Sequence, residues 1–277
     1  MRPDPGKPGL APEGRGGCDG VWMSADPPIL HSQILPPNDK AALLGDSLGH
    51  LAHDFNNLLA AISGSASLIE MTGAAAQPET ARHVRNIHAA TGRGARIMQQ
   101  LLALSPRTDA PVESVSVSDL LREAQHAAGS QLGAGYVLTY FAPDNLPALP
   151  CDRRQVLLVL ALLAENARDA MPQGGAIVVT ARSLTLTPDE ASHAGAAPGE
   201  FIAFAAQDTG TGINPEQLAR IGEPFFTTKP KGKGAGLGLA IANRIARRHG
   251  GFVKIETEAN AGTRVTLCLK TNVSAGA

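Results

Sequence analysis

Cysteine is scarce and scattered. Cys18, Cys151 and Cys268 are the only three. They form no Cys-x-x-Cys pair and no Cys/His spacing, which excludes a disulfide framework or a zinc site and suits a reducing compartment. Excess charge of either sign is also missing. Lys and Arg number 24 against 25 Asp and Glu, a net charge of -1, so no bulk attraction to nucleic acid or to an anionic membrane is expected. Long apolar runs are absent as well. The most apolar stretch, Val156 to Ala164, falls far short of the roughly 20 residues a membrane span needs. The start of the chain is rich in Pro, Gly and charge and lacks the apolar core of a signal peptide. These absences predict a soluble, cytoplasmic chain with no membrane insertion and no nucleic-acid partner. Its 277 residues allow one large domain or two small ones.

Residues 1–39 are dense in Pro and Gly without periodicity, and are expected to form a disordered tail. From Lys40 a pattern begins. Leu44, Leu48, Leu51, Phe55, Leu58, Ile62 and Ile69 follow alternating steps of four and three, with Ser65 filling the one gap, a heptad-like stripe on one long helix. Gly73 to Pro78 breaks it. A second helix is predicted from Glu79 to about Leu104, with Val84, Ile87, Met98 and Leu101 on its apolar face and Pro106 as its stop. Such a hairpin, residues 40–106, has too few core layers to stand alone, and pairing two copies gives a four-helix bundle. A homodimer is the expectation. After a linker at 107–112, short β-rich runs appear at Glu113 to Val117, Tyr136 to Phe141, Ala176 to Ala181, Phe201 to Gln207, Phe252 to Thr257 and Thr263 to Leu269. Helical stretches near Ser118 to Ala128, Asp152 to Met171 and Leu237 to His249 alternate with them. The fold class is therefore α+β: a helical hairpin, then an α/β sandwich over 113–270 with a largely antiparallel sheet, then a short tail at 271–277.

With Leu51 at a d position of the heptad, His53 falls on the face opposite the seam. A lone histidine there is most often a solvated surface residue. Its neighbours, in HLAHDFNNLL, point further. A neutral imidazole, with a free pKa of about 6.5, is a good nucleophile near pH 7. Asp54 beside it can accept the ring proton, and Asn57 one turn on can orient a water for the reverse hydrolysis. His50 is a weaker candidate because no acid follows it.

Four stretches of the second domain carry further chemistry. In ENARDAM, Glu165 to Met171, Asn166 offers a hard oxygen to magnesium; alone, an Asn in an Ala-rich helix is unremarkable. In DTGTGI, Asp208 ends a predicted strand and can accept an adenine amino group, while Gly210 and Gly212 let the backbone pass close to the ring; alone, it could be a plain turn. In EPFFTTK, Glu223 to Lys229, the aromatics could merely pack a loop. In GKGAGLGL, Gly232 to Leu239, glycines leading into a helix can cradle phosphates. No GK[ST] ends that run, so it is not a P-loop, and no dinucleotide fingerprint follows a strand.

HDFNNLL, a second helix ending ARIMQQLLALS, and the four later strings in this order resemble the transmitter module of bacterial two-component sensor histidine kinases, particularly hybrid kinases. The ATP-binding half resembles the domain shared by histidine kinases, gyrase-type ATPases and MutL. The resemblance covers about Ala41 to Leu269. It implies autophosphorylation of His53 from ATP with Mg2+, and transfer to an aspartate on the receiver domain of a separate response regulator, with phosphatase activity as an added capacity. Asp54 would be the general base and Asn57 would serve the phosphatase. It implies nucleotide contacts at Asn166, Asp169, Asp208, Gly210, Gly212, Thr228, Lys229, Gly234, Gly236, Leu237, Gly238 and Thr263, with Asn166 the metal ligand and a mobile lid over about Asn214 to Gly234. An upstream sensor protein is a further expected partner. Two departures stand out. Leu162 occupies a position where such kinases often have a second Asn and gyrase-type ATPases a catalytic Glu, which argues against direct ATP hydrolysis. Gly222 stands where hybrid kinases usually have an aromatic, which is expected to loosen the lid. The alternatives are a relay or phosphatase hub that binds ATP poorly, a pseudokinase scaffold, and a serine kinase of the anti-sigma-factor type, which would lack the hairpin.

Overall fold

The computed structural model describes residues 31–37, 39–73, 77–104, 112–129, 135–230 and 234–272, and gives the backbone alone for 39–53. The chain builds a helical hairpin and an α/β sandwich. Helix α1 spans Asp39–Met71 and α2 spans Pro78–Ala103, with Pro78 in the first turn, where its missing N–H costs nothing. Between the helices lie small and branched side chains: Ala66, Val84 and Thr91 are buried there. Gly94 brings the helices close, since a Cβ at that position would lie 3.0 Å from Leu59 Cδ2. The described part of the α1 stripe, from Phe55 on, does not face α2. Phe55, Leu58 and Ile62 remain 45%, 60% and 49% exposed in the single chain.

The sandwich has a six-stranded sheet in the order β1-β7-β8-β6-β5-β3, from β1 (His31–Ile34), β3 (Tyr136–Phe141), β5 (Gly175–Leu186), β6 (Gly199–Asp208), β7 (Phe252–Glu258) and β8 (Gly262–Lys270). All neighbours are antiparallel except β3 and β5, which agrees with the largely antiparallel sheet expected. A separate pair, β2 (Glu113–Val115) and β4 (Leu149–Cys151), braces one end. Helices α3 (Val117–Gly129), α4 (Arg153–Ala170) and α7 (Gly238–Arg248) contribute to one core with the inner sheet face, including Val156, Leu160, Ile177, Phe204, Ile241, Ile245 and Leu267. Leu101 and Leu104, at the end of α2, join that core.

Helix α4 starts where Asp152 accepts hydrogen bonds from Arg154 N at 3.0 Å and Gln155 N at 3.2 Å, an N-cap that satisfies two orphan amides. The Asp152 amide in turn donates to His249 Nε2 at 3.1 Å, while His249 Nδ1 lies 2.8 Å from Ile245 O. This pins the ring and ties the start of α4 to the end of α7. Helix α5 (Pro188–Ala194) lies in the β5–β6 connection, begun by a capping box of Thr187 and Glu190. It packs on the outer sheet face around Phe201, Phe252 and Cys268. Helix α6 (Pro215–Leu218) is a single turn capped by Asn214.

The expected tail at 1–39 is corrected in part. Residues 1–30 lie outside the described residues, but 31–34 form β1, with His31 opposite Thr257 and Ile34 opposite Lys254. Composition alone could not show this, because the partner strand lies more than two hundred residues downstream. Strand β4 and helices α5 and α6 were likewise not expected. Thr271, assigned to the C-terminal tail, is buried and donates through its amide to Glu200 O at 3.0 Å. Among the described residues no helix is long and apolar enough to cross a membrane.

Candidate nucleotide and phosphoacceptor sites

Asp208 closes β6 with its side chain 7% exposed. Its Oδ1 accepts the Gly210 amide at 2.9 Å and the Thr263 amide at 3.2 Å. Burial pushes the carboxyl up to about 6, against the pull of those two amides. Thr263 sits opposite it on β8. Behind both, Thr257 Oγ1 accepts from Ile213 N at 3.0 Å, donates to Gly262 O at 3.0 Å and meets Thr263 Oγ1 at 3.1 Å. Sequence reasoning missed Thr257; a lone Thr in a strand carries no signal. The DTGTG turn needs its second glycine. Gly212 has φ +65°, and a Cβ there would lie 2.0 Å from Glu258 O. Gly210 faces α4, where a Cβ would come within 2.6 Å of Ala170 O.

On α4, Asn166 and Asp169 project from one face, three residues apart. Lys229 Nζ reaches both, 2.6 Å from Asp169 Oδ2 and 3.3 Å from Asn166 Oδ1. Arg168 forks onto Asp169 Oδ1 at 2.9 and 2.7 Å. Burial would raise the Asp169 carboxyl, but hydrogen bonds from Lys229 and Arg168 outweigh it and hold the group below its usual range. Two side-chain oxygens converge here around a cationic group, so the donor set suits a hard cation.

The glycine-rich turn meets this corner. A Cβ on Gly238 would lie 3.4 Å from Asn166 Nδ2. Helix α7 begins there with no side-chain cap, so its first amides are free of side-chain acceptors and suited to an anion. Leu237 is buried beneath the turn. Gly236, at φ +67°, is wedged against the EPFF segment, where a Cβ would come 2.5 Å from Phe225 C. Phe225 N donates to Gly236 O at 2.8 Å and itself has φ +67°. Gly234 lies alongside the Lys229 stem, and Thr228 is exposed. Gly232 and Lys233 lie outside the described residues. Leu162 is buried in the core near Gly238, so no polar group stands at that position.

The structure thus brings Asn166, Asp169, Lys229 and Gly238 to one corner and Asp208, Gly210, Gly212 and Thr263 to another, both at the ends of β6 and α4. A basin of about 1120 Å³ lies elsewhere, on the outer sheet face beside α5, and of the DTGTGI stretch it takes in Thr209 alone. His53 lies on α1, with its side chain and that of His50 outside the described residues, while Asp54 and Asn57 are exposed.

An antiparallel sheet backed by helices, a buried carboxylate at a strand end and a glycine-rich turn onto a helix define an ATPase-type nucleotide domain behind a phosphoacceptor hairpin. Comparison with known proteins agrees. Residues 151–273 match the histidine kinase-, DNA gyrase B- and HSP90-like ATPase family, and residues 43–109 match the His Kinase A (phospho-acceptor) domain. Sensor kinase CckA of Brucella abortus is 35% identical over 233 residues, covering 84% of this chain and 25% of that protein. Sensor histidine kinase ZraS of Escherichia coli O157:H7 is 30% identical, covering 85% of this chain and 48% of that protein. A crystal structure of full-length ShkA in complex with AMPPNP superposes over 83% of this chain and 46% of that one, with a TM-score of 0.63 at 23% identity, a likeness of fold. The chain carries the phosphoacceptor and ATPase domains that these sensor kinases share. It spans a quarter to about half the length of these curated relatives.

Proposed function

We propose that this chain is the autophosphorylating core of a two-component kinase that transfers the γ-phosphoryl group of ATP to His53 and then to an aspartate on a response regulator's receiver domain. The observation that carries the reading is the double corner at β6 and α4, in one chain with the HDFNNLL helix. Asp208 Oδ1 is taken by two backbone amides, leaving Oδ2 to accept the adenine amino group. The glycine turn and the uncapped start of α7 face the phosphates. Asn166 and Asp169 supply oxygens for Mg2+, which would neutralise charge on the phosphates. Lys229 then exchanges its carboxylate partner for a phosphate oxygen.

In the transfer step a nitrogen of neutral His53 attacks the γ-phosphorus while the bond to the β–γ bridging oxygen breaks and ADP leaves. Asp54 takes the proton from the other ring nitrogen. Positioning does most of the work. Asn57, exposed one turn beyond His53 in sequence, would hold a water for the reverse hydrolysis. The exposed α1 stripe supports a homodimer, because two hairpins would cover Phe55, Leu58 and Ile62 against each other.

The test is incubation with γ-labelled ATP and Mg2+. Acid-labile, base-stable label that vanishes in His53→Gln, with nucleotide binding intact, is the expected result. Label that persists in that variant would sink the assignment. Normal nucleotide binding without label in the unaltered chain would favour the relay or phosphatase reading.

A further inference from the structure

Residues 31–37 precede α1, yet they are docked on the nucleotide domain. Strand β1 adds to the edge of β7, and Leu35 N continues the ladder to Val253 O at 2.9 Å. Leu35 is 0% exposed, inserted into the domain core. Two side chains of α7 grip the backbone that follows: Arg247 Nη2 donates to Leu35 O at 2.7 Å and Asn243 Nδ2 to Pro36 O at 2.6 Å. The Leu35 methyl groups fill the space beside Gly222, where a Cβ would lie 3.1 Å from Leu35 Cδ2. Gly222 immediately precedes the Glu223 to Lys229 stretch that ends at the nucleotide corner. Three residues after Pro36, α1 begins.

One short segment therefore joins the start of the phosphoacceptor helix to the base of the loop that carries Lys229. The other attachment of the domain, the end of α2 with Leu101 and Leu104 in the core, lies at the same end of the hairpin. His53 is about 20 Å further along α1 at the usual rise per residue. A nucleotide domain held at that end by both attachments cannot swing freely along the bundle. The dock is also imperfect. Asn243 Oδ1 and Arg247 Nε are buried there with no hydrogen-bond partner among the described residues, a feature of contacts that exchange more readily than a fully satisfied core.

We propose that residues 31–37 are a releasable strap: docked in the groove between β7, α7 and Gly222, they restrain the nucleotide domain and its lid, and their release permits transfer to His53. The proposal rests on the autophosphorylation reading above, and its test separates the two. Ser32 and Glu256 face each other across β1 and β7, and neighbouring antiparallel residues are close enough for a disulfide. The full chain carrying Ser32→Cys and Glu256→Cys, with Cys18→Ser to remove a competing thiol, is compared oxidised and reduced. Labelling from γ-labelled ATP and amide hydrogen exchange across 222–236 are both followed.

The locked strap should slow labelling by about tenfold or more, reversibly with reductant, and slow exchange in the lid, while ADP affinity changes by less than about twofold. Leu35→Ala in the otherwise unaltered chain should label several-fold faster than the unaltered chain, with ADP affinity unchanged. Equal labelling and equal exchange in the oxidised and reduced forms would overturn the strap, as would a Leu35→Ala chain that binds ADP normally but labels more slowly. If no form labels, the kinase reading falls, and the exchange difference still decides the strap.

Discussion

Asp208 is the residue whose energetics conflict most with a passive structural role. Its carboxyl is buried and pushed up to about 6 from 3.8, so its charge is held at a cost of up to roughly 3 kcal/mol at neutral pH. A folded-state value above the unfolded one contributes stability that is complete below 3.8 and is lost as pH rises through about 6. Asp208→Asn keeps an oxygen for the amides of Gly210 and Thr263 but turns an N–H2 group toward the adenine amino group. The variant should melt higher than the unaltered chain at pH 7.5 and bind ADP at least about tenfold more weakly. Calorimetry and a binding titration on the same protein check both halves. In the unaltered chain, ADP affinity should fall as pH drops through about 6, because only the carboxylate accepts two donors and the adenine together. Lys229 makes a second prediction at this scale. Lys229→Met should lower the labelling rate by about 10- to 100-fold, the worth of one charge-assisted bond to a phosphate, which rapid-quench kinetics would measure. Little of this was legible in the residues alone. Asp208 and Lys229 stood out by their strings, but the Lys229–Asp169 pair at 2.6 Å joins residues sixty positions apart.

At the scale of elements, the glycine turn and the start of α4 are the joints on which the site depends. Gly236 is locked against the backbone of Phe225 and Phe226 at φ +67°. Gly236→Ala should displace the EPFF segment and weaken nucleotide binding by more than about tenfold, read from a binding titration. Equal affinity would show that the lid tolerates the shift. Asp152→Ala removes the N-cap of α4 and should cost about 1 kcal/mol of stability, read from denaturant unfolding. Most elements were readable from pattern: α1 from its heptad-like stripe, β6 and β8 from their β-rich runs, α2 from Pro78 and Pro106. The short elements were not. Strand β4, three residues including Pro150, exists because β2 offers it a partner, and α5 because its alanines meet Phe201 and Phe252 on the outer sheet face.

For the whole molecule, the exposed stripe of α1 is the feature that a single chain leaves unresolved. Phe55, Leu58 and Ile62 are too apolar and too contiguous to face water together. If the proposed homodimer forms through this stripe, Leu58→Glu with Ile62→Glu should yield a monomer by sedimentation, with ADP affinity unchanged, since neither residue approaches the nucleotide corners. A dimer that survives would move the interface elsewhere. The nucleotide domain, in contrast, buries a core on the inner sheet face that Leu35, Leu101 and Leu104 complete, and a smaller cluster under α5 on the outer face.

What the amino-acid sequence determined by itself was local. The heptad stripe, the helix stops, the glycines that demand positive φ and the order of the chemistry-bearing strings are all set by residues near one another, where propensity and sterics act directly. Tertiary structure alone decided the rest. It turned a Pro-flanked segment ahead of α1 into the edge strand of a sheet, buried Leu35 against Gly222, placed Lys229 between Asn166 and Asp169, and stacked Thr257 behind Asp208. Each of these joins residues far apart in the chain, and their energies come from burial and hydrogen bonds that exist only once the sheet and its helices have assembled.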